Sequence, residues 1–223
     1  SEPPILTEEF SMYEFTVIFF VALLFIVIYF VGMRRNRKIA VKYAKAIKDH
    51  MSPRSEFVGF RPYSRGGFRA LCKLKEKEAF SQIEMAISLV DRENLMHYPL
   101  SLLTKDRDRL ACWGFLKGTV PFDLEILPKQ DGKLWQKMAL EKNLKEIIMK
   151  NKLNTSFAVL ASDQDSANRF LSNLGLEKCL LVVRESVKRL SLSSKDSRVY
   201  LIGEVQGDSS IKSLVDVLMC CGE

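Results

Sequence analysis

The sequence predicts an α+β protein in which one N-terminal transmembrane helix precedes a single cytosolic domain of a mostly antiparallel sheet covered by helices. Residues 15–33 (FTVIFFVALLFIVIYFVGM) contain no charged side chain. Beyond them, apolar runs of strand length are mixed with segments of helical periodicity, which is typical of α+β domains. The roughly 170 residues after His50 are enough for one domain with a substantial core.

The apolar stretch at 15–33 is long enough to span a bilayer. At about 1.5 Å of rise per helical residue it covers roughly 28 Å, close to the thickness of the hydrocarbon core. A signal peptide would have a basic leading segment and a cleavage site of small residues, neither of which is present. A buried helix of a soluble protein would normally carry a polar stripe. We interpret the stretch as a membrane anchor that includes Phe15, Phe20, Leu24, Val27, Phe30 and Met33.

The charges on either side of the anchor predict its orientation. Residues 1–14 contain four acidic and no basic side chains, whereas residues 34–48 contain seven basic and no acidic ones. Because basic flanks stay on the cytosolic side, the N-terminus is predicted to be luminal and the rest of the chain cytosolic. The predicted organisation is a short acidic luminal segment (1–14), a transmembrane helix (15–33), a basic juxtamembrane helix (34–52) and a cytosolic α+β domain (53–223).

Two basic stretches are candidate binding sites in a protein of net charge +7. The juxtamembrane cluster can attract anionic headgroups, at roughly 1 kcal/mol per basic residue, or ribosomal RNA phosphates; it can also serve only as an orientation signal. In GFRPYSRGGFR, arginines alternate with aromatic rings, which suits RNA backbone and unstacked bases; a solvated linker is the alternative. The candidate residues are Arg34, Arg35, Arg37, Lys38, Lys42, Lys45, Lys48, Arg61, Arg65 and Arg69.

Periodicity predicts the elements of the first half of the domain. Residues 36–50 carry apolar side chains at helical spacing beside the lysines, so a basic amphipathic helix is predicted to continue from the anchor and to end near Pro53. A strand is predicted at 68–74. A helix is predicted at 76–90, because four apolar residues fall on one helical face: Phe80, Ile83, Ile87 and Val90.

The second half is predicted to alternate between short strands and helices. SFAVLA, within 154–161, has the composition of a buried strand, and Ser162 or Asp163 is predicted to cap a helix that Gly175 ends after Leu174. The other predictions are strands at 100–103, 110–116 and 198–205, an extended or helical segment with a turn at 121–133, helices at 134–150, 176–192 and 211–221, and a turn with a capping serine before the last helix.

The residue patterns of common enzyme sites are missing from the sequence. There is no P-loop, GxGxxG or GxSxG motif, and the only two histidines, His50 and His97, are far apart. Cys112 lies in the most apolar strand, where a thiol stays protonated. Asp163 and Asp165, with Asp123 and Glu125, are interpreted as caps and solvated turns in preference to a cation site. We expect no catalytic residue, metal or cofactor; a membrane-tethered enzyme with an unrecognised site is the alternative.

The five cysteines are predicted to be buried free thiols. They form no CxxC pair and no zinc-binding spacing with the histidines, and the predicted topology places all five in the reducing cytosol. They are Cys72, Cys112, Cys179, Cys220 and Cys221.

Short motifs along nearly the whole chain resemble those of one known family. The family's basic juxtamembrane helix resembles RRNRKIAVKYAKAI, and its F-x-x-V-G stretch resembles FVGF. The family's serine-glycine-arginine run, which leads into its first strand and helix, resembles YSRGGFRALCKLKEKEAF. The family's acidic turn and following strand resemble TKDRDRLACWGFLKG, and its L-x-x-S-[LF]-A-[IV]-L-S-E segment resembles LNTSFAVLASDQD. Its last strand and helix resemble RVYLIGEV and IKSLVDVLMCC. The family is that of the calumin-like proteins, the coiled-coil-domain subunit of the PAT complex in the endoplasmic reticulum.

The resemblance implies a non-enzymatic role in the membrane of the endoplasmic reticulum. Family members bind ribosome-engaged Sec translocons, pair with the small membrane protein Asterix, and help multipass membrane proteins to insert and fold beside other multipass translocon subunits. The globular domain would act as a wedge between ribosome and membrane. The family's long acidic luminal region, through which it binds calcium and takes part in calcium homeostasis, is reduced here to residues 1–14.

A second function class fits the same plan of one anchor and one domain. A supernumerary structural subunit of a large organellar membrane complex would also have a single span and a globular domain, but it would not depend on ribosomes. The proteins that co-purify in mild detergent distinguish the two classes.

Overall fold

A computed structural model describes residues 12–63, 66–94, 106–148, 153–172 and 174–222. In chain order, its helices and strands are α1 (Met12–Met51), β1 (Ser55–Tyr63), β2 (Gly67–Leu74), β3 (Phe80–Ser88), β4 (Asp108–Leu116), β5 (Leu124–Pro128), α2 (Gly132–Lys142), β6 (Lys145–Glu146), α3 (Leu153–Ser156), β7 (Phe157–Ala161), α4 (Gln164–Leu171), α5 (Leu174–Val182), β8 (Val187–Ser193), β9 (Arg198–Val205) and α6 (Asp208–Cys220). This is the α+β composition that the sequence predicts.

Helix α1 is a single helix of 40 residues. It contains no proline, its first turn carries Glu14, and its last turn carries Lys48 and His50, which complements the helix dipole at both ends. The predicted span and the predicted basic helix are therefore one continuous element, which ends two residues before Pro53. Among the described residues it is the one helix long and apolar enough to cross a membrane.

The chain divides into two compact units: residues 1–38 with 90–106, and residues 39–89 with 107–223. In the first unit, a segment that begins at Val90 lies against α1. A Cβ on Gly32 would clash with the carbonyl oxygen of Arg92, so only glycine permits this approach. The Asn36 side chain is buried, and both of its polar atoms are hydrogen-bonded: Nδ2 donates to the Val90 carbonyl (3.1 Å), and Oδ1 accepts from Arg92 Nη1 (2.9 Å).

The second unit is built on an antiparallel sheet. Its described strands have the order β1-β2-β3-β4-β9-β8-β5-β7-β6, and every neighbouring pair is antiparallel. Strands β1 to β4 form a meander, and β9 lies between β4 and β8. The predicted antiparallel sheet is confirmed.

One face of this sheet, the first face, carries the main core. The C-terminal half of α1 packs there through Tyr43, Ile47 and Met51, together with apolar residues of α5 and α6. The Tyr43 hydroxyl donates to the buried carboxylate of Asp108 at 3.0 Å. A Cβ on Gly203 would meet the Leu214 methyls at 2.7 Å, so β9 and α6 are in close contact.

Among the described residues, a helix covers one end of the opposite face, the second face. There α2 packs over β5 and β7 in a small cluster of Leu127, Met138, Leu144 and Leu160. Most described helices therefore lie on the first face, and α2 lies on the second.

The helix predicted at 76–90 is wrong, because this segment contains strand β3. Ile83, Met85 and Ile87 are buried at every second position, and β3 is paired on both sides, with β2 and β4. Ile83 and Ile87 are four residues apart, a spacing compatible with both periods, whereas Phe80 shares their burial in a strand because the register shifts between Phe80 and Gln82. Pairing with two neighbours shows that the segment is a strand.

Three further boundaries differ from the predictions. The helix predicted at 134–150 stops at Lys142, because Asn143 adopts the left-handed conformation (φ 51°, ψ 44°), and β6 then pairs with β7. Gly175 lies inside α5 and ends no helix, and the helix predicted at 176–192 ends at Val182 and is followed by β8. Before α6 the N-cap is Gly207, while Ser210 Oγ accepts from the Gln206 amide at 2.8 Å. The predicted strand at 100–103 lies outside the described residues.

The strands predicted at 68–74, 110–116 and 198–205 and the buried strand in SFAVLA are confirmed, and the segment before Pro128, for which an extended or a helical structure was predicted, is strand β5. All five cysteines are free thiols, and three are buried: Cys72, Cys112 and Cys221. Burial raises the pKa of Cys72 to about 12 and raises the pKa values of Cys112 and Cys221 further. Cys112 is thus a core residue, as predicted.

Candidate functional site

The predicted anchor residues are all exposed along α1, as a lipid-facing helix requires. Their exposed fractions run from 38% for Met33 to 62% for Phe15 and Phe20. Large apolar side chains exposed along several helical turns are unfavourable in water, since each would gain about 1.5–3 kcal/mol on burial. The remaining members of the set are Leu24, Val27 and Phe30.

The basic residues that follow the anchor form one face of the same helix, here called the basic face. At 3.6 residues per turn they fall within an arc of roughly 160°. The opposite side carries Tyr43, Ala46 and Ile47, which are buried in the core of the second unit. The basic face consists of Arg34, Arg35, Arg37, Lys38, Lys42, Lys45 and Lys48, all exposed.

Among the described residues, the charges of the last three lysines of the basic face are little neutralised. Lys42 Nζ lies 3.3 Å from Asp208 Oδ1, a pair exposed enough to contribute under about 1 kcal/mol. Lys45 and Lys48 form no ion pair among the described residues. These three lysines can therefore bind an anionic surface without first breaking strong contacts to the described part of the chain.

The predicted arginine-rich stretch becomes part of a hairpin on the second face. Arg61 of β1 and Arg69 of β2 are directly opposite each other in the register, and the Arg69 guanidinium lies 4.2 Å from the centre of the Tyr63 ring. Phe68, which alternates with them along the strand, is buried on the first face, where the ring of Phe60 lies 6.0 Å away. Of the three aromatic residues singled out in the sequence, Tyr63 alone shares a face with the arginines. Arg65 lies outside the described residues.

The open part of the second face adds residues that sequence reasoning missed. Trp113 of β4 and Tyr200 of β9 stack at 5.2 Å with an interplanar angle of 26°. Arg198 lies over the ring of Phe115 at 5.9 Å. We call this surface, with Arg61 and Arg69, the arginine–aromatic face. Strand alternation could have located its members, because Trp113 and Phe115 alternate with buried Cys112 and Gly114.

A cavity of about 520 Å³ opens on the arginine–aromatic face. Arg61, Arg69 and Arg198 contribute to its lining together with Phe57, Trp113 and Phe115, and Glu84 is the one acidic residue among the described lining residues. Gly59 leaves room for the Phe57 ring, which lies 2.7 Å from the position a Cβ would take. Basic and aromatic groups thus surround one concave surface, an arrangement suited to binding an anion that carries an apolar body.

The acidic residues considered as a cation site serve structural roles. Asp163 is the predicted N-cap of α4: it accepts from the Ser166 amide at 3.0 Å, and this hydrogen bond lowers the pKa of its carboxyl. Asp123 accepts from the amide and hydroxyl of Ser194. Glu125 is buried and bonded to Arg189 and Lys142, so its assignment to a solvated turn was wrong.

No group of three or more potential metal ligands occurs among the described residues. No protein-family model matches the chain, and a search of curated proteins finds no significant similarity. Inferences about function therefore depend on the exposed apolar span, the basic face and the arginine–aromatic face.

Proposed function

We propose that this protein is a single-pass membrane protein of the endoplasmic reticulum, with a luminal N-terminus, and a non-enzymatic subunit of a ribosome-associated translocon complex. In this role it assists the insertion and folding of multipass membrane proteins. The observation that carries the proposal is the arrangement of α1, in which an exposed apolar span continues directly into an exposed basic face. The resemblance of the sequence motifs to the calumin-like family supports it.

The two parts of α1 have different proposed partners. The apolar span contacts lipid, an Asterix-like small membrane protein and other multipass translocon subunits, which shield polar residues of client proteins from lipid until their partner helices arrive. The basic face contacts ribosomal RNA or anionic headgroups next to the Sec translocon. Contacts to phosphate weaken as salt rises, because bound counterions are released on association.

Charge reversal on the basic face tests ribosome binding. The triple variant Lys38→Glu, Lys45→Glu, Lys48→Glu is expected to lower co-sedimentation with ribosomes at least tenfold, and binding by the unmodified protein should fall steeply with salt. A matched control reverses three exposed lysines elsewhere, Lys133, Lys178 and Lys195. Unchanged co-sedimentation of the first variant, or equal loss in both, would contradict the proposal.

The membrane topology needs a separate test. A glycosylation acceptor placed before residue 12 should be modified, one placed after residue 222 should not, and the protein should stay in the pellet after alkaline carbonate extraction. Release by carbonate, or modification at both ends, would refute the single-pass topology. Co-purification with a large organellar complex that lacks ribosomes would indicate a supernumerary structural subunit instead.

A further inference from the structure

Two arginines on the arginine–aromatic face repel each other without a balancing acid. Arg61 and Arg69 are directly opposite in the β1–β2 register, so their side chains point to the same face from backbones about 4.5–5.5 Å apart. Like charges directly opposite across two strands destabilise a sheet. Neither arginine pairs with a carboxylate in the part of the chain that the structure describes. An anion placed between the two guanidinium groups would remove this repulsion.

Arg69 also has a buried N–H group that lacks an acceptor in the described part of the chain. The Tyr63 ring covers its guanidinium at 4.2 Å, and the N–H group in question is Nε. A buried N–H group without a partner is costly, and buried donors in native proteins are almost always paired. An anionic oxygen that enters the cavity from the Arg61 side would accept charge-assisted hydrogen bonds from the remaining guanidinium N–H groups of both arginines.

The rest of the cavity suits a flat ring. Its volume of about 520 Å³ lies within the range of small-molecule sites. Trp113 contributes to the lining and is held flat against Tyr200 by their stacking at 5.2 Å. Phe115 provides a second aromatic surface, fixed in place by Arg198, which also pairs with Asp196 at 3.2 Å. Planar rings stack favourably on such side chains, as nucleobases do in single-stranded RNA recognition.

We propose that this cavity binds one unstacked nucleotide, with its phosphate between Arg61 and Arg69 and its base on Trp113. A terminal phosphate offers three acceptor oxygens and a charge of roughly −1.5 to −2, whereas a carboxylate offers two oxygens and a single charge, so a phosphate between two arginines is favoured over an acidic peptide side chain. Glu84, which now accepts from Gln82 Nε2 at 3.2 Å, is an acceptor for an exocyclic amino group. Bases with an amino group are therefore expected to bind more tightly than uracil.

The nucleotide can belong to a single-stranded RNA or be free in solution. This inference gives a ligand to Arg61 and Arg69, two of the candidate binding residues of the sequence, and it goes beyond the proposed function. It uses no residue of the basic face, so the two proposals fail separately.

Calorimetric titration of the full chain in detergent micelles tests the site. The probes are AMP, CMP, UMP, adenosine, inorganic phosphate, an acidic peptide and a ten-nucleotide single-stranded RNA. AMP and CMP are expected to bind at least tenfold more tightly than phosphate or adenosine alone, and more tightly than UMP. In the triple variant Lys38→Glu, Lys45→Glu, Lys48→Glu, in which the basic face is weakened, tighter binding of the RNA than of the mononucleotides would identify an RNA strand as the source of the nucleotide, and equal affinity would identify a free nucleotide.

Variants separate this site from the basic face. Arg61→Glu changes an exposed side chain of an edge strand, so the fold should persist, and nucleotide affinity should fall at least tenfold. Arg69→Gln and Trp113→Leu should have similar effects, whereas the control Arg184→Ala and the triple reversal at Lys38, Lys45 and Lys48 should have none. Failure of every nucleotide and of the RNA to bind, binding of the acidic peptide alone, or unchanged affinity in Arg61→Glu would overturn the inference.

Discussion

The carboxylate of Glu125 accepts two hydrogen bonds from the guanidinium of Arg189, at 3.0 Å from Nε and 2.9 Å from Nη2. Lys142 Nζ lies 2.6 Å from the same carboxylate, and the Ser191 hydroxyl donates to it at 2.8 Å. Glu125 is 1% exposed, and its hydrogen bonds raise the pKa of Arg189 above its ordinary value. One buried acid thus links the end of α2 to strands β5 and β8.

Glu125→Gln is expected to lower the free energy of unfolding by about 3 kcal/mol. Removal of the acid leaves two cations facing an uncharged amide, and breaking a partly buried ion pair by removing one partner is costly. Urea denaturation measures the change. The control is Glu141→Gln, whose partner Lys137 lies 3.6 Å away at the surface, and the cost there should stay below about 1 kcal/mol. Equal effects of the two substitutions would contradict the structural role of Glu125.

Gly67→Ala is expected to lower the free energy of unfolding by about 1–3 kcal/mol. A Cβ at this position would clash with the carbonyl oxygen of Ile87, a backbone atom of β3 that cannot rotate away. Thermal melting of the two proteins tests this. Gly118→Ala is a matched control, because nothing lies within 4 Å of a Cβ there. A variant at Gly67 as stable as the control would show that β2 and β3 are further apart than the structure places them.

Asp163→Ala is expected to destabilise α4 in a pH-dependent way. The hydrogen bond from Ser166 lowers the pKa of the Asp163 carboxyl in the folded state. The stabilisation by the Asp163 cap is therefore fully present above the pKa that this carboxyl has in the unfolded chain. It is lost as the pH falls through the lower pKa that the carboxyl has in the folded protein. Melting temperatures of the two proteins should differ at pH 7 and converge in acid. Asp163→Asn, which keeps an oxygen acceptor, should lie between them; a pH-independent difference would exclude the charged cap.

Mild oxidation is expected to join Cys179 and Cys220 in a disulfide. Their sulfur atoms lie 3.1 Å apart, in α5 and at the end of α6. Diamide would take up two electrons and two protons as the thiols form the bond. The closed loop should raise the free energy of unfolding by up to about 4 kcal/mol. Peptide mapping without reductant tests this, with buried Cys72 and Cys112 as internal controls that should remain thiols. A disulfide through Cys221 instead would contradict the predicted pair.

The sequence was sufficient for elements whose signal is local. The apolar helix, the strand at 110–116 and the Asp163 cap depend on residues close together in the chain, and all three are found. In β3, by contrast, Ile83 and Ile87 are compatible with a helical and an extended period, and Phe80 joins them in the strand only through a register shift, so pairing with β2 and β4 distinguishes the two structures. The end of α2 at Asn143 likewise depends on burial of Leu144 beside β7.

The arginine–aromatic face was predictable only in part, for the same reason. Its arginines lie in one basic stretch, but their direct opposition follows from the register of the β1–β2 hairpin. Trp113 and Tyr200 are far apart in sequence and meet because β9 is inserted beside β4. A single sequence carries no signal for strand order of this kind.

The position of β9 has a consequence for synthesis of the protein. The meander of β1 to β4 and the strands β5 to β8 are joined in the sheet only through β9, which pairs with β4 and β8. Until residues 198–205 emerge from the ribosome, the nascent chain holds two incomplete sheets, each with an open hydrogen-bonding edge. The apolar span is made more than 150 residues earlier. Under the proposed topology, insertion of the apolar span begins well before the sheet closes, so the fold is completed late and beside the membrane.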